Sequence, residues 1–338
     1  MGCRSARTAL PALAAPDPSS LVERGIVRTL LARTAPARSV PLTARARRIV
    51  TVIAAAALVG VGLTGCSAAS ASSCVQPGDA SQLVHTSGAF GSPHASFPHP
   101  IDTSTLQKST VKTGSGNTIG KGQMVRFTLA HYDASTGKSV ETFPAAVPAG
   151  GKSSLPGLQK ALLCTTVGSR IVVTGTEADI AGSQGSADQA VVLVVDVEKA
   201  YPSRATGSPR PGQPGMPTVV LAPNGQPGIK ITENTVPTKL RTAVLRQGSG
   251  AVVKKVDSSS GVLVNYTAVT YNDPTSVAGS SWVDGSPVVW PTTDSSGFTP
   301  PADVVKQLVG QNVGSQVLVV TPGSNATAYV IDILGIWK

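Results

Sequence analysis

Four cysteines are the strongest nucleophiles in the sequence, and their placement separates them by task. Cys66 ends Leu63-Thr64-Gly65-Cys66, a branched apolar residue and two small ones ahead of a thiol. The small pair lets an extended chain lie in a narrow cleft, with the thiol as the candidate nucleophile beside it. Upstream, Arg45–Arg48 precedes the uncharged run Ile49–Leu63. That run is too short for a comfortable bilayer span and has the length of a signal-peptide core. With Cys3 in the leader and Cys66 at the end of the signal-like segment, Cys74 and Cys164 remain as an even pair. Outside the cytoplasmic membrane such a pair is a disulfide candidate, the other reading being two buried free thiols. A crosslink closing so long a loop contributes ~3–5 kcal/mol through chain entropy.

The Cys66 pattern resembles the lipobox of bacterial lipoproteins. It implies a lipid anchor at Cys66 and a place on the extracytoplasmic face of the cell membrane, with two acyl chains meeting the two-signal requirement for stable anchoring. Residues 1–44 would make a very long leader, and a start at Val40 would restore an ordinary one.

Other chemistries find little support. His94 and His99 sit in Pro93–Pro100 with no third ligand beside them, so no metal site is expected. His131 alternates with apolar neighbours and is expected to face solvent. No catalytic triad, phosphate loop or cofactor motif appears, and no cofactor is expected. Asn265-Tyr266-Thr267 and Asn325-Ala326-Thr327 fit a glycan acceptor pattern that short segments often match by chance. The net charge of +10 suggests an anionic partner until it is placed along the chain. Residues 1–66 hold nine arginines, with Asp17 and Glu23 as their only acids. Taking these from totals of 28 and 18 leaves 19 basic and 16 acidic residues. No basic stripe interleaved with aromatics survives, which argues against nucleic acid.

Positioning elements emerge from an internal repeat. Gly91-Ser92-Pro93 recurs as Gly225-Gln226-Pro227, and Gly114-Ser115-Gly116 as Gly248-Ser249-Gly250. Val125–Tyr132 matches Val264–Tyr271, Lys160–Val173 matches Lys306–Val320, and Val191–Val197 matches Ala328–Leu334. Alternating apolar residues (Val125, Phe127, Leu129; Val262, Val264, Tyr266) predict half-buried strands. Val304, Val305, Leu308 and Val309 predict a helix capped by Thr299, with Pro300 at its first position and Gly310 at its stop. Pro156, Leu158, Ala161 and Leu162 predict its counterpart. The fold class is therefore α+β: two tandem domains, each a curved antiparallel β-sheet wrapped around one short helix. The expected boundaries are a leader and signal (1–66), a tether (67–84), domain one (85–201), a Pro/Gly-rich linker (202–217) and domain two (218–338).

This order of elements resembles the FKBP family of peptidyl-prolyl cis-trans isomerases, in particular tandem-domain lipoproteins of high-GC Gram-positive bacteria. The residues that carry it are Gly248–Gly250, Val264–Thr267, Ser280–Pro287, Leu308–Val320 and Tyr329–Ile336, with Leu155–Leu162 and Val167–Arg170 in the first copy. The resemblance implies FKBP-like domains and a pocket that takes proline-containing unfolded or exported polypeptides. In copy two it implies Tyr266, Trp290, Val304 and Tyr329 as the catalytic lining, with Val304 as the floor. In copy one the matching substrate positions are Phe127, Leu155, Leu158 and Leu193, a degenerate set with Ala181 where an aromatic is usual. Copy two lacks the family's carboxylate, because Ala278-Gly279 replaces a Phe-Asp pair. Pro300-Pro301 occupies the positions that receive the substrate carbonyl. Trp282 reads as a structural plug. A prolyl isomerase and a catalytically weak scaffold that holds unfolded clients or a protein partner are both compatible with this pattern.

Overall fold

The computed structural model describes residues 74–151, 155–232, 235–254, 261–291 and 300–338. Cys66, the run Ile49–Leu63 and the cap Thr299 lie outside them. No helix among the described residues is long and apolar enough to cross a membrane.

The described chain is mostly β-sheet. It begins with helix α1 (Asp79–Gln82) and the hairpin of β1 (His85–Ser87) and β2 (His94–Ser96). The first large sheet follows, from β3 (Gln107–Lys112), β4 (Met124–Asp133), β5 (Ser139–Pro148), β6 (Arg170–Thr176) and β7 (Ala190–Ala200). Helix α2 (Pro156–Leu162) precedes β6 and α3 (Glu177–Ala181) follows it. Next come β8 (Ser208–Pro209), the hairpin of β9 (Thr218–Leu221) and β10 (Pro227–Lys230), β11 (Arg241–Gln247) and β12 (Gly261–Thr270). The chain ends with β13 (Val277–Ser280), α4 (Ser281–Asp284), β14 (Val288–Pro291), α5 (Ala302–Lys306), β15 (Gln316–Val320) and β16 (Thr327–Trp337).

Both large sheets are antiparallel and share one strand order. The first runs β3-β6-β7-β4-β5, and the second runs β11-β15-β16-β12, then β13 and β14 side by side on β12, with β8 added at the other edge. The unbroken edge strand β5 thus corresponds to a strand interrupted by α4. Even the irregularities match. A register shift lies between Thr110 and Lys112 on β3 and between Val244 and Arg246 on β11. Another lies between Arg126 and Phe127 on β4 and between Leu263 and Val264 on β12. Such bulges bend a strand and set its twist, so shared bulges mean shared curvature.

The repeated Gly-Ser-Gly and Val-Gly-Ser motifs hold each other. Gly114 N–H donates to Ser169 Oγ and Gly248 N–H to Ser315 Oγ, both at 2.9 Å. Gly116 N–H donates to Val167 O and Gly250 N–H to Val313 O, both at 3.0 Å. A Cβ on Gly114 would lie 2.2 Å from Val167 O, and one on Gly248 2.3 Å from Val313 O. Glycine is required there by close approach of backbone to backbone.

Each sheet is buried on both faces. One face of the first packs on α2 through Val125, Phe127, Leu129, Leu158, Leu162 and Val195. The other face, with Ala130, Tyr132, Val172 and Val194, is roofed by Ala80, Val84 and Ile101. The second sheet repeats this with Val304, Val305 and Leu308 on one side, and with Leu318 and Val330 under Val219 and Ile229 on the other. Covered on both faces, β7 and β16 read as nearly continuous apolar runs.

Four sequence readings change. His131 is 4% exposed rather than solvent-facing. Strand parity puts it on the α2 side with Leu129, opposite Leu193 on β7, while Ala130 and Tyr132 on the other face are buried too. Helix α5 starts at Ala302 after Pro301 at ψ 143°, not at Pro300, because a residue ahead of proline disfavours the α region. The helices α3 and α4 add to the single helix expected per copy. Residues 202–217 are held against the second sheet: Ala205 N–H donates to Asp332 Oδ2 (2.8 Å), and Ser208-Pro209 pairs with β11. A small cluster of Met124, Tyr201, Leu263 and Leu334 joins the two sheets, with Tyr201 5.7 Å from the Trp337 ring.

Candidate functional site

In the second sheet the four expected lining residues come together. Tyr266 on β12, Trp290 on β14, Val304 on α5 and Tyr329 on β16 share the core on the α5 side. Val304 is fully buried at its base, Trp290 is 2% exposed and Tyr329 8%, while Tyr266 is half-buried. The Tyr266 and Trp290 rings lie 4.9 Å apart, tilted by 52°, within the range of favourable aromatic pairs. The Tyr266 hydroxyl stands over Gly279, where an added Cβ would lie 3.1 Å away.

The interruption of the edge strand builds this arrangement. Ser280 Oγ caps α4 by accepting from Trp282 N–H, and Gly285 at φ +63° ends it. The turn carries Ser281 under β12, where its Oγ accepts from Tyr266 N–H (2.9 Å) and donates to Asn265 Oδ1 (2.8 Å). Asn265 Nδ2 in turn donates to Ser203 O (2.8 Å). With both polar atoms engaged and 4% exposure, Asn265 is unsuited to carry a glycan. Trp282 stands against Gly225, in keeping with a plug; its Nε1 has no partner among the described residues.

Sequence reading missed Asp284 at the end of α4. Burial first, and then the Asp284 charge, raise the Tyr266 phenol above its usual range. Burial first, then Tyr266, do the same for Tyr329. Both phenols are thus held neutral, and Tyr266 has the exposed Asp284 carboxylate near it, supplied by α4 rather than from Ala278-Gly279. Pro301, extended ahead of α5, has no N–H to offer a ligand. No group of three or more His, Cys, Asp or Glu among the described residues is placed to hold a metal ion.

The first sheet closes its counterpart. Phe127 and Leu158 are fully buried, Leu155 is 1% exposed and Leu193 4%, and all four belong to one continuous core; Phe127 is not at the place of Tyr266, because Asp196 pairs with Thr128 and Asp332 with Asn265, which puts Leu129 there and Phe127 level with Val264. Ala181 adds no aromatic surface. Cys74 and Cys164 form a disulfide with Cα atoms 5.8 Å apart, tying the start of the described chain to the residue just after α2's last turn. Cys164 sits at φ +61° and its N–H donates to Ile119 O.

A carboxylate repeated in the last strand of each sheet also went unread as a site. Asp196 accepts from Arg170 Nε (2.6 Å) and Nη2 (2.7 Å), and the same guanidinium donates to the carbonyls of Ser87, Gly88 and Ala89. Asp332 accepts instead from the neutral Gln316 Nε2 (2.7 Å) and from Ala205 N–H. Burial raises the Asp332 carboxyl to about 6. The signal was in the sequence, as the shared Asp of the paired terminal strands and the Arg/Gln exchange at the start of β6 and β15.

No protein-family model matches the chain, and no curated protein sequence matches it. Among solved structures it is similar to the three FKBP domains of wheat FKBP73, at 12% identity over 69% of this chain and 95% of that one, with a TM-score of 0.29. It is also similar to the N-terminal domain of FKBP42 from Arabidopsis thaliana, at 14% identity over 30% of this chain and 96% of that one, with a TM-score of 0.26.

Proposed function

We propose that this protein binds proline-containing segments of exported polypeptides and speeds their cis–trans exchange. In this reading residues 85–201 and 218–338 are two FKBP-like domains, joined by 202–217 and anchored to the outer face of the cell membrane through Cys66. The carrying observation is the gathering of Tyr266, Trp290 and Tyr329 over Val304, with Tyr266 half-open. The first domain fills the corresponding places with aliphatic side chains, Leu129 for Tyr266, Val147 for Trp290 and Leu193 for Tyr329, and acts as a brace.

The chemistry needs no proton transfer. Resonance in the prolyl amide sets a barrier of about 18–20 kcal/mol. Twisting the C–N bond removes that resonance and makes the amide less polar. An apolar aromatic wall therefore favours the twisted form over the planar one. Tyr266 and Tyr329, held as neutral phenols, supply hydrogen-bond donors to the peptide's carbonyl groups. Uncatalysed exchange takes tens to hundreds of seconds, slow enough to limit folding outside the cell.

A second reading is favoured by Pro301, which lacks a backbone donor next to α5: the pocket holds prolyl chains without turning them over. Refolding of a protein whose slow phase is prolyl isomerisation separates the two. Acceleration by the intact chain that drops in Tyr266→Ala supports catalysis. Peptide binding with no acceleration supports holding only, and neither effect refutes both readings.

A further inference from the structure

Charge in the second half of the chain is sorted by element. Residues 202–254, which carry β8 to β11, hold seven Lys or Arg side chains against the single acid Glu233. Residues 261–338, which carry the aromatic cluster, hold five Asp against Lys306 and Lys338. The basic stretch includes the β9–β10 hairpin, which roofs the second sheet on the face away from α5.

That roof is less closed than the first one. Ala80, Val84 and Ile101 are all buried over the first sheet, whereas Val219 and Ile229 are only partly buried over the second. In the hairpin Thr218 pairs with Lys230 and Val220 with Gly228, so Val220 and Lys230 stand on one face, opposite to Val219 and Ile229. Val220 is 66% exposed, Leu221 beside it 37%, and Lys230 is exposed too. At the hairpin turn Arg204 Nη1 donates to Pro223 O (3.2 Å). A Cβ added at Gly225 would lie 2.7 Å from Arg204 Cδ and 3.3 Å from the Trp282 ring, so the turn holds the arginine and α4 together. Val283, next on α4, is 68% exposed, and Asp284 closes that helix beside Tyr266. Neither Arg204 nor Lys230 is in an ion pair among the described residues. The two hairpin strands pair only with each other there.

We propose that the β9–β10 hairpin docks on an anionic lipid surface, with Val220 and Leu221 entering the headgroup layer and Arg204 and Lys230 meeting the phosphates. A bilayer interface offers both things this surface presents a match for, an apolar layer and a negatively charged one above it. An acidic polypeptide would engage the cations and leave the exposed valine and leucine in water. Docking by the roof also has a consequence for the other face. The aromatic cluster lies on the α5 side of the sheet, so it would be turned away from the membrane and towards arriving chains. The contact adds to the anchor proposed at Cys66 and needs neither that lipid nor a prolyl ligand.

The test uses the chain from Ser67 onward, which holds every described residue and lacks the apolar run Ile49–Leu63. It is co-sedimented with vesicles of phosphatidylcholine alone and with added phosphatidylglycerol. Binding to the mixed vesicles that weakens with rising salt, and little binding to the neutral ones, is expected. Lys230→Gln and Arg204→Gln should each weaken it about fivefold, the share of one cation at a charged surface. Val220→Ser should weaken it as well, and exposure at this site leaves the fold intact. Lys138→Gln, an equal loss of charge at an exposed turn of the first sheet, should change nothing. Equal binding to both vesicles, an equal effect of Lys138→Gln, or indifference to Val220→Ser and Lys230→Gln alike overturns the proposal. Poly-glutamate that binds while the mixed vesicles do not also overturns it, and makes the surface one for acidic polypeptides. With no lipidated Cys66 and no prolyl peptide in the assay, the result stands apart from isomerase activity.

Discussion

Asp332→Asn is the most informative single change in the second sheet. Asp332 is 2% exposed, and burial lifts its carboxyl from 3.8 to about 6 against the pull of Ala205 N–H, Gln316, Arg246 and Arg204. A carboxyl whose folded value is raised contributes stability below its unfolded value and loses it as pH rises through the folded one. A difference of roughly two pKa units at 1.36 kcal/mol each makes ionising Asp332 cost up to ~3 kcal/mol, spent between about pH 4 and 6. Asparagine has no proton to lose. Its Oδ1 can accept from Ala205 N–H, and a flipped Gln316 amide can accept from its Nδ2. The variant should therefore match the parent near pH 4 and exceed it by up to ~3 kcal/mol at pH 8. Urea unfolding at both values reads this directly. A variant that is weaker at pH 8, with a gap that closes on acidification, would mean that Asp332 is ionised and favourably held, and the burial argument would fail.

His131 predicts the opposite limb. Burial lowers its ring from 6.5 to about 4, with Asp133 partly opposing, so its contribution to stability should be lost as pH falls from about 6.5 to 4, against the gain from Asp332. His131→Leu should flatten that loss, which a pH series of thermal midpoints would show. Gly157→Ala tests the packing of α2 on α3, because an added Cβ would stand 1.9 Å from Asp179 O. Overpacking of this kind costs ~1–3 kcal/mol, read as a lower urea midpoint, while the same change at exposed Gly212 should cost little. Reducing Cys74–Cys164 opens a closure over a sequence separation of 90 and should cost ~3–5 kcal/mol by denaturant titration with and without reductant.

The duplication was legible because it is written in glycines and serines that have one geometric job, as at Gly114 with Ser169 and Gly248 with Ser315. The apolar stripe of α2 and the buried runs of β7 and β16 were legible for the same reason: periodicity reports which face is covered. It does not report what covers the second face. The roof over the first sheet comes from residues around Ala80, Val84 and Ile101, which have no period of their own, so it was not apparent that Ala130 and Tyr132 are buried under it while His131 faces the α2 side with Leu129. The start of α5 turned on a proline pair, where two rules about proline compete and steric exclusion before Pro301 wins. Family resemblance led to Tyr266, Trp290, Val304 and Tyr329 as a group, whereas Asp284, though inside Ser280–Pro287, was passed over because the carboxylate was looked for at Ala278-Gly279 and only the turn of α4 brings Asp284 near Tyr266.

The claim that prolyl chains enter the aromatic cluster of the second sheet is tested most directly by the tryptophan indole N–H signals. Trp290 lies inside the cluster, and Trp337 lies against Tyr201 where the two sheets meet. Titration of the intact chain with a short prolyl peptide should shift the Trp290 signal saturably and leave Trp337 in place. A bound peptide that moves Trp337 or neither signal would place the prolyl site elsewhere and contradict the account.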